Sequence, residues 1–204
     1  MSLGKLKRRL QSLINRKDVT DTLAEDFITE AIADLERVLR ISPMERILTQ
    51  SVWDGSVNAL IIPGTFLESI DLFTDSNELT QVDMAQFLKL DNTGGSPRYF
   101  VKIADRFLLR PTPAPDTKVY LHCYVQSDPL AFDTDRNVWT EACFNAVLYT
   151  AAAAASDFFQ MEDEHVRRYM NKAEMYVSAI NDQSLDEKWA GRLSIPLPQD
   201  RGSF

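Results

Sequence analysis

Leu3, Leu6, Leu10 and Leu13 recur at three- and four-residue spacing with Lys and Arg on the opposite side, which predicts an amphipathic helix from residue 3 to about 15. Residues 15–20 are polar and turn-like. A second helix is expected from Thr22, whose spacing to Glu25 is that of a capping box. Its stripe of Leu23, Phe27, Ile28, Ala31, Ile32, Leu35 and Leu39 carries it to about Ile41. Pro43 disfavours helical backbone at Ser42 and ends it.

From Met44 the pattern changes. Residues 47–53 and 57–62 read as strands split by Asp54-Gly55, and Pro63-Gly64 is a turn signal. Residues 66–73 read as another strand, with Leu67, Ile70 and Leu72 apolar, closed by Asp75, Ser76 and Asn77. Met84, Phe87 and Leu88 point to a short helix within 82–90. Residues 91–97, with Gly94-Gly95, form a loop, and 98–103 with 107–110 form a hairpin turning at Ala104-Asp105. Pro111, Pro113 and Pro115 exclude regular ladder bonds. Residues 117–125 alternate most cleanly: Val119, Leu121, Cys123 and Val125 face one way, Tyr120, His122 and Tyr124 the other.

A polar connection, 128–136, leads into two long helices. The first is expected over 138–159, where the alanine-rich stretch 150–155 favours helix and lets a neighbouring helix approach closely. The second is expected over 162–181, with Val166, Tyr169, Met170, Ala173, Tyr176, Val177 and Ile180 on its apolar side. Glu162, Asp163 and Glu164 at its start complement the helix dipole. The last twenty residues follow no period. The fold class read from this order is α+β: a helical bundle formed by N- and C-terminal helix pairs (1–43 and 135–183), with an inserted antiparallel β region (44–134) and an extended C-terminal arm (184–204). The four end helices are expected to pack as one bundle.

The 204 residues are enough for one ordinary domain or two small lobes, and 45% hydrophobic with 25% charged residues is the composition of a soluble globular protein. No apolar run approaches the roughly 18–20 residues that span a bilayer, and residues 1–10 lack the apolar core of a signal peptide; no membrane partner is expected. The net charge of −8 is unevenly placed: residues 1–17 hold six cations and no acid, leaving −14 on the remainder. An acidic bulk argues against wrapping nucleic acid over a broad surface. The basic helix face, Lys5, Arg8 and Arg9, is a candidate contact for an acidic partner or nearby DNA, or simply a solvated face. Cys123 and Cys143 read as two buried free thiols.

Candidate chemistry is sparse. His122 and Cys123 are adjacent on a strand, so they point to opposite faces and cannot share a metal. His165 sits among acids and arginines on an exposed helical turn. Asp133, Asp135 and Asn137 match the first three ligand positions of a calcium loop, but the sixth position is Val138 and the twelfth Phe144, so a loop ending in a helix N-cap explains them better. There is no Walker loop, nucleophile elbow, dinucleotide fingerprint or HExxH. Arg98, Tyr99, Phe100 and Lys102 mix aromatic and basic side chains as single-strand-binding sheets do, and equally as an ordinary hairpin does.

Several stretches together resemble the head-to-tail adaptor (connector) proteins of short-tailed bacteriophages. They are Leu3-Gly4-Lys5-Leu6, AIADLERVLRISP at 31–43, FLESIDLF at 66–73 with the following ELTQVD, and 98–125 including RFLLRPTPAPDTKVYLHCYV, followed by the alanine-rich helix. The resemblance spans most of 3–183. It implies a structural virion protein at the head-tail junction, made in the host cytoplasm and needing no cofactor, metal or catalytic residue. It implies a ring of typically about twelve copies beneath the portal, monomeric when free, with portal, tail proteins and transiently the packaged DNA as partners. The arm then suits a portal grip; Trp189, Leu193, Ile195 and Leu197 are its apolar anchors on physical grounds alone. Other readings are a stopper or head-completion protein of the same connector, a carboxylate-based cell-wall glycan hydrolase, or a small nucleic-acid-binding module using the first helix.

Overall fold

The computed structural model describes residues 1–53, 59–93, 95–114 and 117–190, and of 49–53 and 186–190 the backbone alone. In chain order the elements are α1 (Leu3–Ile14), α2 (Asp21–Val38), a 3-10 turn (Ser42–Met44), β1 (Glu45–Trp53), β2 (Leu60–Ile61), β3 (Phe66–Thr74), β4 (Glu78–Gln81), α3 (Met84–Lys89), β5 (Tyr99–Ile103), β6 (Arg106–Arg110), β7 (Thr117–Val125), α4 (Val138–Glu141), α5 (Phe144–Phe158) and α6 (Asp163–Ala190). The protein is thus α+β. Two compact units divide it: Met1–Ser42 with the described residues from Asp128 onward, and Pro43–Ser127.

In the first unit, Leu3, Leu6, Leu10 and Ile14 are the buried stripe of α1, and Asn15 ends the helix in the left-handed conformation. The cap of α2 lies two residues before the expected Thr22: the Thr20 hydroxyl accepts the Leu23 N–H at 3.2 Å. Ala24, Phe27, Ile28, Ala31 and Leu35 are buried. The helix stops at Val38, short of Ile41, because Leu39 turns to extended backbone and the Arg40 guanidinium takes the Glu36 and Leu39 carbonyls at 2.7 and 2.8 Å.

The single helix expected over 138–159 is broken. Asn137 caps the short α4 in a capping box with Thr140, and the backbone leaves helical geometry at Cys143 before α5 begins. The break seats Trp139 fully buried, its indole N–H donating to Glu36 Oε1 at 2.8 Å. Ala146, Ala151, Ala152 and Ala155 of α5 are buried, and α5 packs on α1, α2 and α6. Their small side chains permit that many neighbours. The Tyr169 hydroxyl of α6 donates to the Leu13 carbonyl of α1 at 3.2 Å, and Tyr149 of α5 stacks on Tyr176 of α6.

α6 runs nine residues past the expected end. The arm therefore does not start at Ser184: that side chain is buried in the helix, donating to the Arg40 carbonyl at 3.1 Å. No glycine or proline interrupts 182–190, and the first breaker is Gly191.

The second unit is a seven-stranded sheet of order β1-β7-β3-β4-β5-β6-β2. The expected all-antiparallel region is corrected to a mixed sheet, since β4 pairs with β5 in parallel. A parallel pair needs a crossover, and α3 with the loop after it supplies the chain for one. Arg110 anchors that crossover, its guanidinium donating to the Phe87 and Leu90 carbonyls, both at 2.7 Å, and lying over the Phe87 ring at 4.7 Å. Leu60, Leu72, Leu79, Phe100, Phe107, Leu109, Val119, Leu121, Cys123 and Val125 form the core. Phe107 meets Phe66 and Phe100 edge to face. The expected turn at Asp54-Gly55, the start of the strand at 57–58, Gly94 and Pro115 lie outside the described residues. Among the described residues no helix is long and apolar enough to cross a membrane.

Candidate interaction surfaces

The connection before α4 docks on the start of α1. The Leu3 N–H donates to the Asp135 carbonyl and the Gly4 N–H to the Asp133 carbonyl, both at 3.0 Å, so two of the four orphan donors of the helix end are satisfied. Gly4 makes the approach possible: a Cβ there would lie 2.9 Å from both Cβ and Cγ of Asp133. Beneath this seam Lys7 is 8% exposed and ion-paired with Glu25 at 3.2 Å and with Asp133. The hydrogen bond to Asp133, followed by that to Glu25, outweighs the opposing effect of burial and raises the ammonium pKa above its ordinary value.

The three residues of the apparent calcium loop therefore have three separate jobs. Asp133 pairs with Lys7, the Asp135 carboxylate accepts the Ala131 and Phe132 N–H groups at 2.9 and 2.8 Å, and Asn137 caps α4. Among the described residues no group of three or more His, Cys, Asp or Glu is arranged to hold a metal ion. A cleft of ≈580 Å³ beside the seam is lined by Lys7, Arg8, Asp21, Asp133 and Arg136, among others. Its two carboxylates are engaged, Asp133 with Lys7 and Asp21 with the Gln11 amide at 2.8 Å, and the Asp133 side chain is 64% exposed. A glycosidase acid is instead a carboxyl held protonated by burial.

Lys5, Arg8 and Arg9 lie exposed on the outer side of α1, Arg8 donating to the Gly4 carbonyl at 3.1 Å. Asp26, Glu30 and Asp34 are exposed at four-residue spacing on α2. That acidic ladder was not among the sequence-predicted sites, although its i, i+4 period is visible in the chain.

The remaining candidates resolve into structure. His122 Nδ1 lies 3.3 Å from Asp71 and its Nε2 3.6 Å from Glu45, on opposite sides of the ring, so the two carboxylates hold the imidazole between strands β3, β7 and β1. His165 is half-buried, its Nδ1 3.4 Å from the Arg168 guanidinium. Phe100 is in the core and Lys102 lies over the Phe66 ring at 4.4 Å, which leaves Tyr99 as the one partly exposed aromatic of the strand, short of the successive stacking faces of a single-strand-binding sheet. Cys123 and Cys143 are both free and buried; burial pushes the Cys143 thiol up to about 11 and raises Cys123 as well. Of the arm anchors, Trp189 falls on the backbone of the last turn of α6 with its side chain outside the described residues, as are Leu193, Ile195 and Leu197 entirely.

None of the curated proteins compared with this chain matches it. A family model described as SU10 adaptor protein matches residues 1–196, all but the last eight, and so takes in both compact units. The chain belongs to the SU10 adaptor protein family, the structural adaptors of the bacteriophage head-tail connector, whose place is in the virion with portal and tail components.

Proposed function

We propose that this protein is a non-enzymatic ring subunit that binds directly beneath the portal and extends the DNA channel toward the tail. The observation that carries the reading is the family match across residues 1–196, which spans the helices, the sheet and the first residues past α6. In this reading the domains are the helical parts 1–43 and 135–183, packed as a four-helix bundle of N- and C-terminal pairs, and the β region 44–134. About twelve copies close a head-to-tail ring, each monomeric when free and made in the host cytoplasm. Portal contact buries Trp189, Leu193, Ile195 and Leu197, and that burial offsets the entropy cost of association. Trp189 stands on the last described turn of α6, and the arm proper, with Leu193, Ile195 and Leu197, is placed after Ala190. The acidic bulk disfavours adhesion of the packaged DNA, whose contact stays transient.

A tag inserted at Gly64, where an added Cβ meets nothing within 4 Å, tests the placement. Electron cryomicroscopy of tagged particles should show a ring of extra density adjoining the portal. Density separated from the portal by another ring would instead make the chain a stopper or head-completion protein.

A further inference from the structure

Two helix faces of the first unit carry ladders of opposite charge. Lys5, Arg8 and Arg9 are exposed along α1; Asp26, Glu30 and Asp34 are exposed along α2. Like charges at such spacing disfavour the helix that carries them. Ion pairs form elsewhere around the same helices: Lys7 with Glu25 and Asp133, and Arg16 with Asp18 in the connection between them. The inner seam is matched and the outer faces are not. Among the described residues, Lys5, Arg8, Arg9, Asp26 and Glu30 make no ion pair, and Asp34 reaches only Arg37, with both side chains more than half exposed. No ion pair joins the two ladders within one copy among the described residues.

We propose that the acidic ladder of α2 in one copy receives the basic face of α1 in the next, and that this heterologous contact closes the ring. The inference rests on the ring reading above. The faces are complementary in sign, and a contact between two different patches of the same chain is the geometry that generates rings. DNA is the competing occupant of the basic face, but it leaves the acidic ladder unexplained; a second copy accounts for both. Exposed ion pairs are weak in water, so the contact does not hold free monomers together. It acts once the portal has gathered the copies, where charge complementarity fixes their register.

The test uses full-length protein and portal rings of the same phage, reading copies bound per portal and the concentration for half-saturation. One variant reverses the acidic ladder (Asp26→Lys with Glu30→Lys), the other the basic face (Lys5→Glu with Arg9→Glu). Each alone should raise the half-saturation concentration by roughly tenfold or more. Mixed in equal amounts they should recover to within about threefold of wild type, because alternating copies restore every opposite-sign contact. Recovery on mixing also establishes that both variants fold. Should a reversal fail to fold, the neutral pair Asp26→Asn with Glu30→Gln is read instead and should weaken assembly about threefold. Reversals that assemble like wild type, or a mixture that stays defective, overturn the proposal. So does a basic-face reversal that assembles normally but loses low-salt duplex binding, which would assign that face to DNA. A wild-type chain that never joins the portal would sink the ring reading itself, before any variant is compared.

Discussion

On helix propensity alone, Gly4→Ala would stabilise α1 by about 0.5–1 kcal/mol. The packing around Gly4 reverses that sign. The new Cβ would sit 2.9 Å from Cβ and Cγ of Asp133 and 3.1 Å from its Oδ2, where carbon contacts are comfortable only near about 3.5–4.0 Å. Rotating the Asp133 side chain relieves Cγ and Oδ2 but not Cβ, so the backbone must withdraw. That backbone is held by the Gly4 and Leu3 N–H bonds, both 3.0 Å. Losing or stretching one costs about 1 kcal/mol, and overpacking typically costs about 1–3 kcal/mol. Withdrawal also takes Asp133 from the nearly buried Lys7 ammonium. After subtracting the propensity gain, the net is a destabilisation of about 1–3 kcal/mol. Thermal unfolding followed by far-ultraviolet circular dichroism, which weights the helical unit, should show a midpoint lowered by roughly 3–8 °C. Gly64→Ala, with open space around it, should move the midpoint little. Adding Asp133→Gly to Gly4→Ala should recover part of the loss. A Gly4→Ala protein as stable as wild type, or more so, would refute the argument.

Glu36→Ala should cost about 1–3 kcal/mol in chemical unfolding, because it strands the buried Trp139 indole N–H; Glu36→Gln, which keeps an acceptor, should cost less. Stability should fall between about pH 9 and pH 11, since the unfolded Cys143 thiol ionises there while the folded one stays neutral. The two-unit gap corresponds to roughly 2–3 kcal/mol, and Cys143→Ala should flatten that part of the pH-stability curve. Arg110→Lys should speed amide exchange in α3, because an ammonium cannot serve the Phe87 and Leu90 carbonyls together while covering the Phe87 ring.

The regular parts of the fold were legible because burial imposes a period on the chain. The Leu3, Leu6, Leu10 stripe gave α1, and the alternation of Val119, Leu121 and Cys123 gave β7. What was missed depends on partners distant in sequence. The break at Cys143 goes with the seating of Trp139 on Glu36, which lies 103 residues away. β4 is four residues long with only Leu79 buried, so no period announces it, and its parallel pairing with β5 is a matter of topology. The extension of α6 to Ala190 was readable from the missing breakers, but the run 181–188, polar except for Leu185, hid it. Of the candidate sites, the basic face of Lys5, Arg8 and Arg9 follows from helical geometry once α1 is placed. The role of Gly4 does not, because it belongs to Asp133.

The most direct test of the adaptor reading is sedimentation of the full chain alone and mixed with portal rings of the same phage, beside a chain ending at Ala190. The truncation keeps α6 and its Ser184 contact with Arg40, which one after Gln183 would remove. The expected result is a free monomer that joins the portal in fixed stoichiometry, and a truncated monomer that folds but does not join. An intact chain that never co-sediments with the portal would contradict it.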